Sequence, residues 1–144
     1  MITIQPSNNK KLINDLFFND ELVYGFAPNV STEDKDTKLD FKTQRFFIIW
    51  WNKIPVGLCV FYPYIHNFCV AHIGIKEKYR GKKAYDAGRL IIKKLLKLFN
   101  GIGVQIRKEN RKSLFYALQL GFKFIGETQD HKLLGVNRYG FCRQ

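Results

Sequence analysis

Between residues 84 and 98 apolar side chains recur at steps of three and four: Ala84, Ala87, Gly88, Ile91, Leu95 and Leu98. Asp86, Arg89, Lys93 and Lys97 fill the opposite stripe. That period predicts a helix over about 84–99 with one packed face. Asn100-Gly101 ends it, since glycine adopts the left-handed conformation of a helix terminus at little cost. Upstream the pattern changes to β-branched and aromatic runs. Residues 45–51 and 54–64 read as strands joined by the tight turn Asn52-Lys53, and 66–75 as a further strand. Residues 2–5 form a short first strand, and Pro6-Ser7-Asn8 offers caps for a helix over 10–18. The polar, turn-rich residues 19–40 read as a helix fragment plus loop. Beyond the long helix come a strand at 102–107, a helix at 111–120 and strands at 122–127 and 133–141. A meander followed by two β-α units predicts an α+β domain spanning 1–144, with a central mixed sheet flanked by helices.

Composition narrows the class. Hydrophobic residues make up 46% of 144 residues, too many for a disordered chain. No apolar run approaches membrane-spanning length, and the N-terminus opens no signal-like segment, so a cytoplasmic protein with no membrane partner is expected. Cys59, Cys69 and Cys142 form no framework spacing and are read as free thiols. No metal is expected: His66 and His72 lie near Cys69, but strand neighbours alternate faces and cannot close a tetrahedral site. The formal charge is +12. Nine basic residues and only two acids fall between Lys76 and Lys97.

Part of that charge has a chemical use. Lys78, Arg80, Lys82 and Lys83 sit in a turn at a helix N-terminus, which combines free backbone N–H groups, the positive dipole end and cations. Such a place holds phosphate, although a basic turn by itself is more commonly solvated surface. Arg89, Lys93, Lys94 and Lys97 read as the helix's solvent face. A second segment adds Asn110-Arg111-Lys112-Ser113, opening a helix that ends in Leu120-Gly121-Phe122. Asn110 and Ser113 both suit helix capping. His72, three residues before the end of the strand entering the basic turn, is the best candidate base, since imidazole titrates near neutral pH. A hydrogen-bonded histidine on a sheet face fits the same position. His66, His131, Glu21 and Glu127 are weaker candidates.

Strand, Arg-Gly turn, helix, strand and Asn-x-x-Ser helix, in that order, resemble the GNAT superfamily of acyl-CoA N-acyltransferases. The Asn-x-x-Ser form looks most like its ribosomal-protein-N-acetyltransferase branch, and the compact chain is also similar to small bacteriophage members. The resemblance implies a GNAT fold, acetyl-CoA as cofactor, and an amine-bearing acceptor that is a protein N-terminus, a lysine or a small amine. It places the pantetheine arm on the backbone of Ile73, Gly74 and Ile75, and the pyrophosphate at Arg80, Gly81, Lys82, Lys83, Ala84 and Tyr85. It also places Asn110 on the pantetheine and Ser113 near the thioester sulfur, where Ser113 is read as proton donor to the leaving thiolate. Many relatives carry a tyrosine where this chain has Ala117; Tyr116, about 100° round the helix from that position, is expected to face elsewhere. Tyr24 and Phe26 are expected to face the acceptor groove, and the chain to be a monomer or homodimer. The turn departs from the family's small residues at Lys83 and Tyr85, and Tyr85 is expected to crowd the pyrophosphate. The alternative is a degenerate GNAT-like module whose basic face binds nucleic acid or a protein.

Overall fold

The computed structural model describes residues 1–19, 22 and 39–138. Most of the segment read as helix fragment plus loop, with Tyr24, Phe26 and Glu21, lies outside these residues, as do Cys142 and positions 139–141 of the last strand. The described elements are β1 (Ile2–Pro6), α1 (Lys10–Phe17), β2 (Arg45–Trp51), β3 (Ile54–Pro63), β4 (Phe68–Ile75), α2 (Lys82–Leu98), β5 (Gly101–Arg107), α3 (Arg111–Gln119), β6 (Lys123–Glu127) and β7 (His131–Asn137). The strands form one seven-stranded sheet in the order β1-β2-β3-β4-β5-β7-β6. Every neighbouring pair is antiparallel except β4 and β5. That is the mixed α+β sheet the element order predicts. No helix among the described residues is long and apolar enough to cross a membrane.

Alternation along the strands builds a core on each face. On one side Phe47, Ile49, Cys59, Phe61, Cys69, Ala71 and Ile75 pack beneath α2 and α3 through Ile91, Leu95, Ala117 and Leu120. On the other, Phe46, Ile48, Leu58 and Val60 meet α1 through Ile13, Leu16 and Phe17. Cys59 and Cys69 are buried free thiols, and loss of solvation pushes the Cys69 thiol up to about 12.

Two elements differ from their sequence reading. β4 starts at Phe68 rather than at residue 66, because His66 (φ 58°) and Asn67 (φ 60°) take left-handed backbone that a strand cannot contain. α2 starts at Lys82, because Gly81 at φ 88°, ψ −135° turns the chain at its N-cap. Leu98 is 59% exposed, while Ile92 and Leu96 are buried. The packed stripe drifts round the helix along its length, so the last turn presents 95 and 96 to the sheet and leaves 98 in solvent.

At Gly88 side chains of α3 pack directly against the backbone of α2. A Cβ there would overlap the Tyr116 hydroxyl and lie 2.7 Å from Leu120 Cδ1. The tyrosine is not free to yield, because its hydroxyl donates to the Ala84 carbonyl oxygen. Gly88→Ala is therefore expected to destabilise the fold by about 1–3 kcal/mol despite alanine's better helix propensity. Thermal or urea unfolding of the variant checks this; wild-type stability would mean that α3 shifts freely against α2.

Candidate functional site

β4 and β5 are paired only over Phe68–Gly101, Cys69–Ile102 and Val70–Gly103. Beyond those pairs β4 continues for five residues and β5 for four with no ladder between them. A cavity of about 310 Å³ opens there, lined by Ala71, His72 and Ile73 from β4 and by residues 104–107 from β5. Strand alternation makes it a slot through the sheet. Ala71, Ile73, Val104 and Ile106 belong to the core beneath α2 and α3, where Asn110, Ser113, Tyr116 and Ala117 also line the cavity. His72 stands opposite Val60, which packs in the α1-side core, and so faces the other way. Gln105 and Arg107 share that α1 side by alternation along β5, as does His131, which pairs with Arg107.

The sequence-predicted residues divide by position. His72, Ile73, Asn110 and Ser113 line the slot together. Gly74 and Ile75 continue β4 along its edge, and the Ile75 carbonyl accepts a hydrogen bond from Arg80 Nε at 3.1 Å. Arg80 thus braces the turn between strand and helix. Past Gly81 no side chain caps α2, so its first-turn N–H groups at Lys82, Lys83 and Ala84 lack both an intrahelical partner and a side-chain cap. The Lys83 ammonium instead lies 4.2 Å from the Trp51 ring centroid and 5.5 Å from that of Tyr79. Tyr85 leans across to α3 and donates its hydroxyl to the Gln119 carbonyl at 3.2 Å. Neither large residue is aimed at the turn's axis.

Asn110 caps α3: its Oδ1 accepts the Ser113 N–H at 3.2 Å. The capping role is real, and it leaves the amide NH₂ as the end able to donate to a ligand. Tyr116 corrects the sequence reading. It lines the slot, because it stands three positions after Ser113 on the same helix face, whereas the comparison with Ala117 alone turned it away. Its hydroxyl holds the Ala84 carbonyl, and burial raises its pKa well above the ordinary tyrosine value. His131 is the other residue underrated from sequence. It opens β7 rather than lying in a turn, and it reaches the slot through a register the sequence does not display.

Electrostatically the slot suits proton transfer. Burial lowers the pKa of His72 below its ordinary 6.5, and repulsion from His131 lowers it further. The ring is therefore neutral at neutral pH and able to accept a proton. Arg107 Nε is bound to Glu109 Oε1 at 2.8 Å. Among the described residues no group of three or more His, Cys, Asp and Glu is placed to hold a metal ion.

No protein-family model matches the sequence, and no curated protein matches it. The structure, in contrast, is similar to those of several acetyltransferases. Spermidine N-acetyltransferase from Vibrio cholerae, solved with CoA and spermine, superposes with a TM-score of 0.76 at 18% identity over 98% of each chain. The aminoglycoside acetyltransferase AAC(6')-Ib, solved with coenzyme A and kanamycin, gives 0.80 at 13% identity over 100% of this chain and 99% of the other. FdhC, a nucleotide-linked sugar GNAT, gives 0.74 at 16% over 99% and 89%. The chain has the GNAT acetyltransferase fold.

Proposed function

We propose that this protein transfers an acetyl group from acetyl-CoA to an amine, and that the slot between β4 and β5 is where the two substrates meet. The observation that carries this is the opening itself. It sets a serine-bearing helix on one face against a neutral histidine on the other. The strand that forms its edge, β4, leads through a short turn into the uncapped, basic N-terminus of α2, which lies outside its lining. The acyl donor occupies the α2–α3 side. Its pyrophosphate rests in the 81–85 turn on the N–H groups of Lys82, Lys83 and Ala84, that of Tyr85 being donated to the Gly81 carbonyl. Arg80 lies beside it, and its pantetheine arm follows the unladdered edge of β4 at Ile73, Gly74 and Ile75. Asn110 donates to that arm. The acceptor amine enters from the α1 side. His72 takes the ammonium proton, and the freed amine attacks the thioester carbonyl. A C–N bond forms and the C–S bond breaks. The nitrogen, cationic after the attack, gives up a second proton as the C–S bond breaks. The Ser113 hydroxyl protonates the departing thiolate and is restored by that second proton, so one proton in all leaves through His72.

The amines named for the structural neighbours, spermine and kanamycin, are small polyamines and aminoglycosides. For this chain the reading extends to an amine acceptor, whether a small molecule, a lysine or a protein N-terminus. Thiol release from acetyl-CoA across a panel of small amines and peptides tests it: amine-dependent release is expected, and none with any amine would leave only a binding module. Arg80→Ala is expected to weaken acetyl-CoA binding about five- to tenfold, through loss of a charged contact and of the brace on Ile75. Calorimetry on the folded variant checks it, and an unchanged dissociation constant would confine Arg80 to the turn's surface.

A further inference from the structure

The acyl donor of the proposed reaction spans two helices. Its phosphates sit at the first turn of α2, and its sulfur lies near Ser113 in the first turn of α3. Transfer therefore depends on how firmly α3 is set against the start of α2. Apolar packing alone holds α3 lightly. The helix is nine residues long, and Ala117 is its one buried residue, with Leu114 and Tyr116 packed beside the core. Arg111, Lys112, Phe115, Leu118 and Gln119 are exposed.

Two tyrosine hydroxyls add what packing does not. On α3, the Tyr116 hydroxyl donates to the carbonyl of Ala84 on α2. On α2, the Tyr85 hydroxyl donates to the carbonyl of Gln119 on α3 at 3.2 Å. The bonds run in opposite directions, from neighbouring residues of α2 to residues three apart on α3. A single bond would leave α3 free to pivot about it, whereas two fix both its position and its rotation. Ser113 lies three residues before Tyr116, further along the same helix face. The Gln119 carbonyl is among the last four of α3, which have no intrahelical donor, so the bond also satisfies a helix end. Arg89 Nη1 donates to the Tyr85 oxygen at 3.4 Å and holds the phenol from its own helix. Gly88 leaves room for the second bond, since a Cβ there would overlap the Tyr116 hydroxyl.

We propose that Tyr85 is a positioning residue: with Tyr116 it clasps α3 to the start of α2 and holds the Ser113 hydroxyl where the thiolate departs. The purpose of the clasp rests on the acetyl-transfer reading, while the clasp itself is a property of the free protein. Ser113 and Tyr116 line the slot and Tyr85 does not, so its effect on the chemistry passes through α3. The tyrosine that stands where the family pattern has a small residue thus links the turn at one end of the donor to the helix at the other. The phosphates need only the N–H groups of Lys82, Lys83 and Ala84. Loss of the link therefore costs turnover and leaves donor binding in place.

Tyr85→Phe tests this, because it removes one hydroxyl from a half-buried ring and leaves the backbone turn intact. The kcat is expected to fall about tenfold, the scale of a small misplacement of a reacting group. The acetyl-CoA dissociation constant, read by calorimetry, is expected to stay within about twofold of wild type, since the lost bond touches no donor atom. The same substitution made in Ser113→Ala is expected to change kcat by less than about twofold, because no hydroxyl is left to position. Amide hydrogen exchange at residues 112–119 of the free protein is expected to quicken in the variant. An unchanged kcat overturns the proposal. So does an equal loss in the two backgrounds, which would put the effect of Tyr85 elsewhere than at Ser113. A weakened dissociation constant with kcat intact overturns it too, by making Tyr85 part of the phosphate seat. If the wild type acetylates no amine, it is the acetyl-transfer reading that fails. The exchange measurement still decides the clasp, and unchanged rates in the variant overturn it.

Discussion

His72→Gln is expected to lower turnover by about 10²–10⁴-fold at neutral pH, the usual contribution of a positioned general base. Glutamine keeps a polar side chain of similar length but cannot take up a proton and become a cation. The pH profile distinguishes loss of the base from loss of the fold. Because burial and His131 favour the neutral ring, the wild-type rate should climb through a midpoint below the ordinary histidine value of 6.5 and level off above it. The variant should lose that acidic limb together with its rate. Folding follows the same sign: the unfolded chain binds the His72 proton more readily than the folded one. The stabilisation from keeping the ring neutral is therefore complete above about 6.5 and is lost as pH falls through the lower folded value. A variant with the wild-type rate and profile would make His72 a structural histidine.

Ser113→Ala is expected to lower turnover by about 10²-fold while leaving acetyl-CoA affinity nearly intact. The split follows from what the residue does. The backbone N–H of position 113, which Asn110 caps, survives the substitution. Only the hydroxyl is lost, and a donor to the leaving thiolate acts in the transition state rather than in the bound ground state. Steady-state kinetics with calorimetry on the same protein reads both quantities. Equal activity would return Ser113 to the cap, and Tyr116, which lines the same cavity, would be the next hydroxyl to remove.

Much of this arrangement is legible in the chain because it is written in local chemistry. The apolar period announces α2 though not its start at Gly81, Asn110 announces the start of α3, and the hydrophobic runs announce each strand. Periodicity also separates the two faces of β4 and so puts His72 opposite Ile73. What it does not carry is pairing. Nothing local says that β4 and β5 stay together for three residues and then part, yet that parting creates the slot. His131 illustrates the same limit, since its place depends on lying opposite Arg107 across β5 and β7. Tyr116 was within reach: a step of three from Ser113 keeps a residue on the same face, and the packed face of α3 is wide enough to hold both 116 and 117. Lys83 and Tyr85 look disruptive in a phosphate turn only until their side chains are followed to Trp51 and Gln119. A departure from a motif is a statement about side chains, whereas the motif's work is done by backbone N–H groups.

The most direct measurement is a backbone-amide NMR titration with acetyl-CoA. Saturable shifts are expected at a dissociation constant below about 1 mM, concentrated at residues 71–75 of β4, at 81–85 and at 110–113. No saturable shifts, or shifts confined to the outer face of α2 around Lys93, Lys94 and Lys97, would contradict the slot as an acyl-donor site and leave a basic surface for some other anion.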